Sequence, residues 1–181
     1  ALAPFVRLLD PSIGVFIDAK SGVSGAGKAL KASSHFVSVN ENAGAYSPIS
    51  HRHADEIKEQ LQILKGGAFS TLFVPNLLPI TRGMLVSAFG VLQKSVDAEA
   101  VLREFYANEP FVRVRSEPVS IKNVAGTHFC DIFVKTAGDK IWINSAIDNL
   151  LRGASSQAVA NANLMCGFAE ATALPRIAHG I

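Results

Sequence analysis

The chain has 181 residues, of which 49% are hydrophobic and 18% are charged, and its formal net charge is +2. This length fits one domain, with or without a small appendage, and the apolar content is ample for a buried core, which excludes a disordered chain. The basic residues are scattered and form no run, which argues against a nucleic-acid partner. The apolar stretches are far shorter than the ~20 residues of a membrane span, which argues against a membrane partner.

The two cysteines, Cys130 and Cys166, exclude a disulfide framework and form no CxxC pair. No cluster of histidines and cysteines has the spacing of a metal site, so no metal is expected. Both thiols are expected to be buried and to behave as small apolar groups, because Cys130 lies in an apolar run and Cys166 on a predicted helix. The first residues lack the basic start and apolar centre of a signal peptide, so a cytoplasmic protein is predicted.

Apolar residues recur at helical or strand spacing along the chain. The first element is a helix within residues 2–9, and because the chain opens inside it we expect these residues to belong to a longer protein. Residues 29–50 lack a clear period, with an extended stretch at 46–49. Further helices are expected at residues 55–64, 97–107 and 155–168. Strands are expected at residues 15–17, 69–79, 83–92, 111–114, 128–135 and 140–147.

The order of these elements favours an α+β fold over a doubly wound parallel sheet. The last two strands are joined by Thr136–Asp139, which is typical of a hairpin. Asp97 stands before the second long helix and is a predicted N-cap. One mixed sheet with short connections is therefore expected.

Residues Gly22–Lys28 follow a predicted strand and match the G-x-x-x-x-G-K part of a phosphate-binding loop. Ala29 stands where that motif requires a serine or threonine for magnesium, and the order of the glycines differs from a dinucleotide fingerprint. The segment is therefore either a structural turn or a loop whose exposed N–H groups approach a ligand closely.

His51-Arg52-His53 stands at the start of a predicted helix. The pair lacks an obvious third metal ligand, so it is either a surface cluster or a proton-transfer site. Arg82 lies between a proline-rich break and a strand, where it is suited to bidentate capture of a carboxylate or phosphate, or is a surface arginine. Gln157 and Asn161 share a face of the last helix, either as an ordinary polar face or as donors to a ligand.

These segments together resemble the N-acetyl-gamma-glutamyl-phosphate reductase family, and the resemblance covers nearly the whole chain. The aspartate-semialdehyde dehydrogenases have a similar glycine loop but lack the His-Arg-His block. The segments are Ser21–Gly27, His51-Arg52-His53-x-x-Glu56-Ile57, Pro79-x-x-Arg82-Gly83, Lys122-Asn123-Val124 with Phe129–Ile132, and Asp148-Asn149-Leu150-x-x-Gly153-Ala154 with Gln157-Ala158-Val159.

The resemblance implies the fold of the C-terminal domain of glyceraldehyde-3-phosphate and semialdehyde dehydrogenases, a mixed sheet with helices on one face. Residues 1–181 would be a substrate-binding and dimerisation domain, with residues 153–181 packing against a cofactor domain. The implied reaction is the NADPH-dependent reduction of an acyl phosphate in arginine biosynthesis, through a thioester on a cysteine. Neither the family's nucleophile nor its cofactor fingerprint occurs in these residues, so the chain alone is expected to be inactive.

The resemblance also implies roles for single residues. His53 would be the imidazole nearest the reacting thiol, with His51 second, and Arg82, Ser21 and Glu56 would bind the substrate. The residues assigned to NADP are Ser24, Gly25, Ala26, Gly27 and Asn161. A homodimer or homotetramer is expected through the sheet. Two other interpretations remain open: a stand-alone, non-catalytic module for oligomerisation or small-molecule binding, and an aspartate-semialdehyde dehydrogenase-like domain.

Overall fold

One seven-stranded sheet organises residues 1–29 and 31–178, the part of the chain that the computed structural model describes. The strands are β1 (Val15–Gly22), β2 (Gly44–Ala45), β3 (Thr71–Leu78), β4 (Met84–Val91), β5 (Val112–Val114), β6 (Cys130–Ala137) and β7 (Lys140–Ile147). The helices are α1 (Phe36–Val39), α2 (Arg52–Lys65), α3 (Ala98–Phe105) and α4 (Ser156–Met165). None of the described helices combines the length and apolarity needed to cross a bilayer.

The strand order is β2-β3-β1-β4-β7-β6-β5. The pairs β1–β3 and β5–β6 are parallel, and the other neighbours are antiparallel. β1 and β3 therefore end at the same edge of the sheet, with Gly22 beside Leu78. β4 begins and β7 ends at this edge, where Met84 pairs with Ile147. We call this the upper edge; the predicted α+β fold with a mixed sheet is confirmed.

The helices α2 and α3 cover one face of the sheet, as expected. Along β1, Val15, Ile17 and Ala19 are buried under this layer, whereas Phe16 between them is 48% exposed on the other face. This alternation follows from the two-residue period of a strand. Leu61 of α2 and Leu102 of α3 complete the main core.

Local signals in the sequence define both helices. The carboxylate of Asp97 accepts a hydrogen bond from Ala100 N (3.0 Å), so the predicted N-cap of α3 is confirmed. α2 ends at Gly66, whose φ of 78° is the left-handed conformation that a helix C-terminus favours. The predicted hairpin between β6 and β7 also forms, with Gly138 at φ 64° in a tight turn.

The other face of the sheet is open over its centre. A row of side chains in register crosses it, formed by Leu72, Phe16, Phe89 and Trp142. Phe16 and Phe89 are 48% and 47% exposed. Towards β6 the same face is covered by the segment 115–128, whose Val119 and Val124 pack in a small core with Ala146.

Residues 1–9 do not form the regular helix that was predicted. Phe5, Val6 and Leu9 are fully buried at helical spacing. The hydrogen bonds Phe5 N to Leu2 O and Leu8 N to Phe5 O span three residues, and the single bond Leu9 N to Phe5 O spans four, so the segment has one helical hydrogen bond but no helical ladder. Leu9 then forms a bridge with Leu92 at the end of β4. Burial of these three side chains fixes the turns, so the apolar residues have the spacing of a helix although the backbone lacks its regular hydrogen bonds.

The last helix is shorter than predicted, because α4 ends at Met165 rather than at residue 168, and a π-turn of residues 151–155 precedes it. In this turn Gly153 N donates to Asp148 O (3.0 Å). Cys166 lies at the end of α4 and is exposed, so its predicted burial is wrong. A helical position alone does not decide which side of a helix meets the core. Cys130 packs against the main core, and burial raises the pKa of its thiol.

The C-terminal segment is fastened to the sheet around His128, which is fully buried. Its Nδ1 lies 2.5 Å from Ser156 Oγ, and its backbone N–H donates to Pro175 O (2.8 Å). The ring also makes an edge contact with Phe111. Burial, and secondarily the charge of Arg152, lower the pKa of His128 to about 4, so the imidazole is neutral in the folded protein.

Candidate active site

The glycine loop begins where β1 reaches the upper edge and continues as a 3-10 turn, Val23–Ala26. Its first N–H groups are already occupied by carbonyls of the connection between β3 and β4. These hydrogen bonds are Gly22 N to Gly83 O (2.9 Å), Val23 N to Ile80 O (2.9 Å) and Ser24 N to Thr81 O (3.2 Å). The expectation that this part of the loop offers free N–H groups to a ligand is therefore wrong, because the loop is locked to its neighbour.

Close packing explains two of the glycines in the loop. A Cβ on Gly22 would lie 2.9 Å from Ile80 O. A Cβ on Gly25 would lie 3.1 Å from Ser21 Oγ. Gly27, by contrast, faces open space at a φ of 73°. The loop thus presents small residues near its exposed end and a rigid base beside the sheet.

Asn149 holds the loop from the side. Its Nδ2 donates to Ser24 Oγ (3.0 Å), and its Oδ1 accepts from Gly83 N (2.6 Å). The side chain is nearly buried, so both contacts are shielded from water. The sequence offered one signal for this residue, its place in the Asp148-Asn149 segment after β7, but no role was assigned to it.

Arg82 lies at the upper edge but is engaged by a carboxylate of its own chain. Its Nη2 donates to Asp148 Oδ1 (3.5 Å), and its Nε lies 3.3 Å from Asp148 Oδ2. Asp148 is fully buried and also accepts from the backbone N–H groups of Gly126, Leu150 and Leu151. Arg82 therefore supports the end of β7, a contact that spacing along the sequence did not reveal.

The two histidines stand at the N-terminus of α2. His51 Nδ1 accepts from His53 N (3.2 Å), so the His51 side chain is the N-cap of the helix. The His51 ring makes edge contacts with Phe73 (5.7 Å between centroids) and His53 (4.8 Å). Burial, with smaller effects of the His53 and Arg52 charges, lowers the pKa of His51. His51 is therefore a neutral acceptor whose position is fixed.

His53 is exposed beside this cap, and Glu56 is exposed one turn later. Residues three apart are neighbours on a helix surface, so the two side chains share one side of α2. The C-terminal end of α2 lies at the opposite, lower edge of the sheet, where β4 ends. There Lys65 Nζ donates to Leu9 O (3.1 Å) beside the bridge to Leu92. The N-terminus of α2, with its histidines, therefore points towards the upper edge.

The segment before the histidines is a strained turn rather than the extended stretch predicted at 46–49. Ser47 and Ile49 have φ values of 43° and 66°. Ser50 N donates to Pro48 O (2.7 Å), closing a three-residue turn around Ile49. A β-branched residue rarely adopts positive φ, so the surrounding contacts must impose it. One such contact is Ile49 N to Phe73 O (3.1 Å).

The glycine loop and Arg82 lie at the upper edge, whereas the histidine pair lies beside the middle of β3, at the end of α2 that points towards this edge. His51 contacts Phe73, which pairs with Ile17, and the loop begins at Ser21. At ~3.3 Å per strand residue, the two features are ~13 Å apart along the sheet. Asn161 is exposed on α4, and its described side-chain contact is with Gln157 (3.5 Å), so no contact in the described residues joins it to the loop.

Similar folds occur among solved semialdehyde dehydrogenases. Aspartate semialdehyde dehydrogenase II from Vibrio cholerae matches with a TM-score of 0.69 at 14% identity, over 92% of this chain and 58% of that one. A probable aspartate-semialdehyde dehydrogenase from Pseudomonas aeruginosa matches with a TM-score of 0.65 at 16% identity, over 91% of this chain and 58% of that one. At such identities the likeness shows the fold alone, which is that of semialdehyde dehydrogenases.

The family model described as the semialdehyde dehydrogenase dimerisation domain matches residues 1–149, and the chain belongs to this family. Curated relatives named N-acetyl-gamma-glutamyl-phosphate reductase include those of Campylobacter hominis, 70% identical over 100% of this chain and 54% of the relative, and Campylobacter curvus, 68% identical over 99% and 53%. The resemblance is confirmed, and the chain spans about half the length of these relatives.

Proposed function

We propose that this chain is the substrate-binding and dimerisation part of an NADPH-dependent reductase that converts N-acetyl-gamma-glutamyl phosphate to its semialdehyde in arginine biosynthesis. The supporting geometry is the histidine pair, which the cap between His51 and His53 N holds at the end of α2 that points towards the glycine loop. The identity of 70% with a named reductase over the whole chain favours this substrate over aspartyl phosphate.

In this proposal His53 exchanges protons with the reacting groups. Its exposed ring is free to reach a substrate, whereas His51 uses Nδ1 for the cap and packs against Phe73. A neutral His51 also adds no positive charge beside the His53 ring. The attacking thiol would come from a cysteine outside these residues, since burial raises the pKa of Cys130 and Cys166 lies just after the end of α4.

Arg82, Ser21 and Glu56 are proposed to meet the substrate. The side chain of Arg82 is 25% exposed, and its two contacts with Asp148 use Nε and Nη2, so Nη1 remains for an anion. Ser21 is buried beside the loop, with its Oγ donating weakly to Gly22 O (3.3 Å). The side chains of Arg82 and Ser21 lie at the upper edge, which supports a shared substrate. Glu56, which is exposed one turn after His53 on α2, is assigned to the same substrate.

NADP supplies the hydride when it is bound, and the described residues fit one end of it. Ser24–Gly27 form a small-residue surface with open space at Gly27 and with their base locked by Asn149. Such a surface suits the close approach of a flat ring. Asn161 on α4 is assigned to the same cofactor, which would span from the loop to this helix. Binding of the phosphates is assigned to another part of the protein.

Two surfaces are proposed for assembly. The open sheet face, with the exposed Phe16 and Phe89, would pair with a second copy, because aromatic rows of this kind are seldom left in water. The description of the family as a dimerisation domain supports this. The residues after the matched region expose Met165 (86%) and Phe168 (62%), which we assign to contact with the cofactor domain.

The proposed function is tested by joining this chain to the remaining part of the Campylobacter hominis reductase. The chimera should reduce NADP in a phosphate-dependent reaction with N-acetylglutamate semialdehyde, and much more slowly with aspartate semialdehyde. His53→Ala should abolish most of the turnover, whereas the control Lys58→Ala on the same helix should not. The chain alone should be inactive.

The opposite results have clear meanings. Equal activity with aspartate semialdehyde would favour an aspartate-semialdehyde dehydrogenase-like domain. A folded, dimeric chimera that turns over neither compound would favour a non-catalytic module. Turnover by the chain alone that is lost in Cys130→Ser or Cys166→Ser would show that the nucleophile is one of these thiols.

A further inference from the structure

A cavity of about 290 Å³ opens between residues 33–46 and β3. Its polar side is formed by Ser33, Ser38 and Asn42, and its apolar side by Val39 and Leu77. Gly44, Ala45 and Tyr46 complete the lining of the cavity. This volume is at the lower end of the range found for small-molecule sites, ~300–1,000 Å³.

The cavity lies between the two halves of the candidate active site. On one side, Tyr46 packs edge-on against His51, with 5.5 Å between the ring centroids. On the other side, Leu77 pairs in register with Ser21, the residue from which the glycine loop continues. A molecule that contacts both the histidine pair and the loop would therefore pass the mouth of this cavity.

The lining contains no charged side chain. Among the described residues, Ser38 Oγ and Asn42 Oδ1 make no hydrogen bond, while Asn42 Nδ2 donates to Ser38 O (3.0 Å). A hydroxyl can donate to a carbonyl, and a side-chain carbonyl can accept from an N–H. Val39 and Leu77 offer an apolar wall beside them. This set suits a neutral amide with a short alkyl end, whereas a carboxylate or phosphate would find no cation.

The shape of the cavity is imposed by tertiary contacts rather than by local preference. Glu41 has a φ of 55°, and Ser47 and Ile49 beside the cavity also lie in the left-handed region. Tyr46 is held by its backbone N–H, which donates to Pro75 O (3.0 Å). Disfavoured conformations that persist in one segment are typical of functional sites.

We propose that this cavity binds the N-acyl amide of the substrate, so that it is the subsite that distinguishes an N-acylated glutamyl compound from one with a free amine. This inference rests on the proposed function and names the substrate group that this part of the site recognises. Asn42 Oδ1 accepts the amide N–H, a serine hydroxyl donates to the acyl oxygen, and the alkyl end lies against Leu77.

The first test measures relative specificity in the chimera described above, with N-acetyl-, N-propanoyl- and N-butanoyl-glutamate semialdehyde. Leu77→Ala removes part of the apolar wall and so enlarges the cavity. It should raise kcat/KM for the butanoyl compound relative to the acetyl compound on the order of tenfold. Asn42→Leu and the milder Ser38→Ala should raise KM for the acetyl compound with little change in kcat. The control Asn40→Leu changes an exposed asparagine outside the lining and should leave both constants unaltered.

A folding defect would lower activity with all three compounds equally, so the ratio between them isolates the subsite. Unchanged ratios in Leu77→Ala, with an unchanged KM in Asn42→Leu, would overturn the inference while leaving the proposed function intact. If the wild-type chimera accepts none of the N-acyl compounds, the proposed function itself fails.

The second test needs no catalysis. The ¹⁵N-labelled 181-residue chain is titrated with N-acetyl-L-glutamate and, separately, with L-glutamate. Selective shifts of the backbone amides of residues 38–46 with the acetylated compound are expected. Shifts that are absent, or equal for the two compounds, would overturn the inference.

Discussion

Removing the side chain of Arg82 should cost folding stability, because in this structure its partner is the buried carboxylate of Asp148. Two consequences of Arg82→Ala can be separated. If the guanidinium mainly supports the end of β7, the free energy of unfolding falls. If the guanidinium mainly binds a substrate anion, the substrate affinity falls and stability is unaltered.

The size of the effect follows from the contacts. Arg82 makes one hydrogen bond of 3.5 Å and one ion-pair contact of 3.3 Å with Asp148. A hydrogen bond to a charged group contributes ~1.5–3 kcal/mol, and these contacts are long, so we expect a loss of ~1.5–2 kcal/mol for Arg82→Ala. Asp148→Ala also leaves three backbone N–H groups without an acceptor, which costs ~1–3 kcal/mol for each one that stays buried. The free energy of unfolding of Asp148→Ala should therefore fall by more than ~3 kcal/mol.

Urea unfolding of the chain, followed by circular dichroism, measures both variants and the double variant. The double variant should be less destabilised than the sum of the two, by ~1 kcal/mol or more, because the residues share one interaction. Arg103→Ala is the matched control, since Arg103 pairs with Glu99 on an exposed helix surface, where such a pair contributes ~0.3–0.5 kcal/mol. A loss in Arg82→Ala no greater than in Arg103→Ala would refute the structural role.

His53→Ala should cost under ~1 kcal/mol of stability and, in the chimera, lower kcat by roughly 10²-fold. His51→Ala should cost ~1 kcal/mol through the lost cap; a much larger fall in kcat there would reverse the two assignments. Burial lowers the pKa of His128 to about 4, so below pH ~6.5 the unfolded chain binds a proton that the folded chain excludes. The free energy of unfolding, measured with urea, should therefore fall as the pH drops from ~6.5, and it should fall less steeply in His128→Gln. Phe16→Glu should yield monomers by light scattering, whereas Phe105→Glu, on a helix of the other face, should not; an unchanged dimer would exclude the open face.

Patterns within one segment predicted much of the fold correctly. The apolar runs at 128–135 and 140–147 became β6 and β7, and Asp97 capped α3. These features depend on periodicity and on side chains a few residues apart, which can be read directly along the chain. The order of the His-Arg-His block and the glycine loop was likewise sufficient to indicate the family.

Other features depended on partners far apart in sequence. The N–H groups of the glycine loop are occupied by carbonyls of residues 80–83, and Arg82 meets Asp148 across 66 positions. Nothing in the local pattern at 21–27 or at 82 carries these pairings. The exposure of Cys166 is similar, since the spacing of residues on α4 does not state which side faces the core.

The sequence by itself indicated which segments form most of the strands and the long helices, and which side chains are candidates for proton and anion chemistry. Only the tertiary structure decided which of those groups are already satisfied by their own chain and which face the cavity beside His51. The physical reason is that a donor or acceptor can find its partner anywhere in the fold. Which residues meet in space is set by the register of the sheet rather than by their order along the chain.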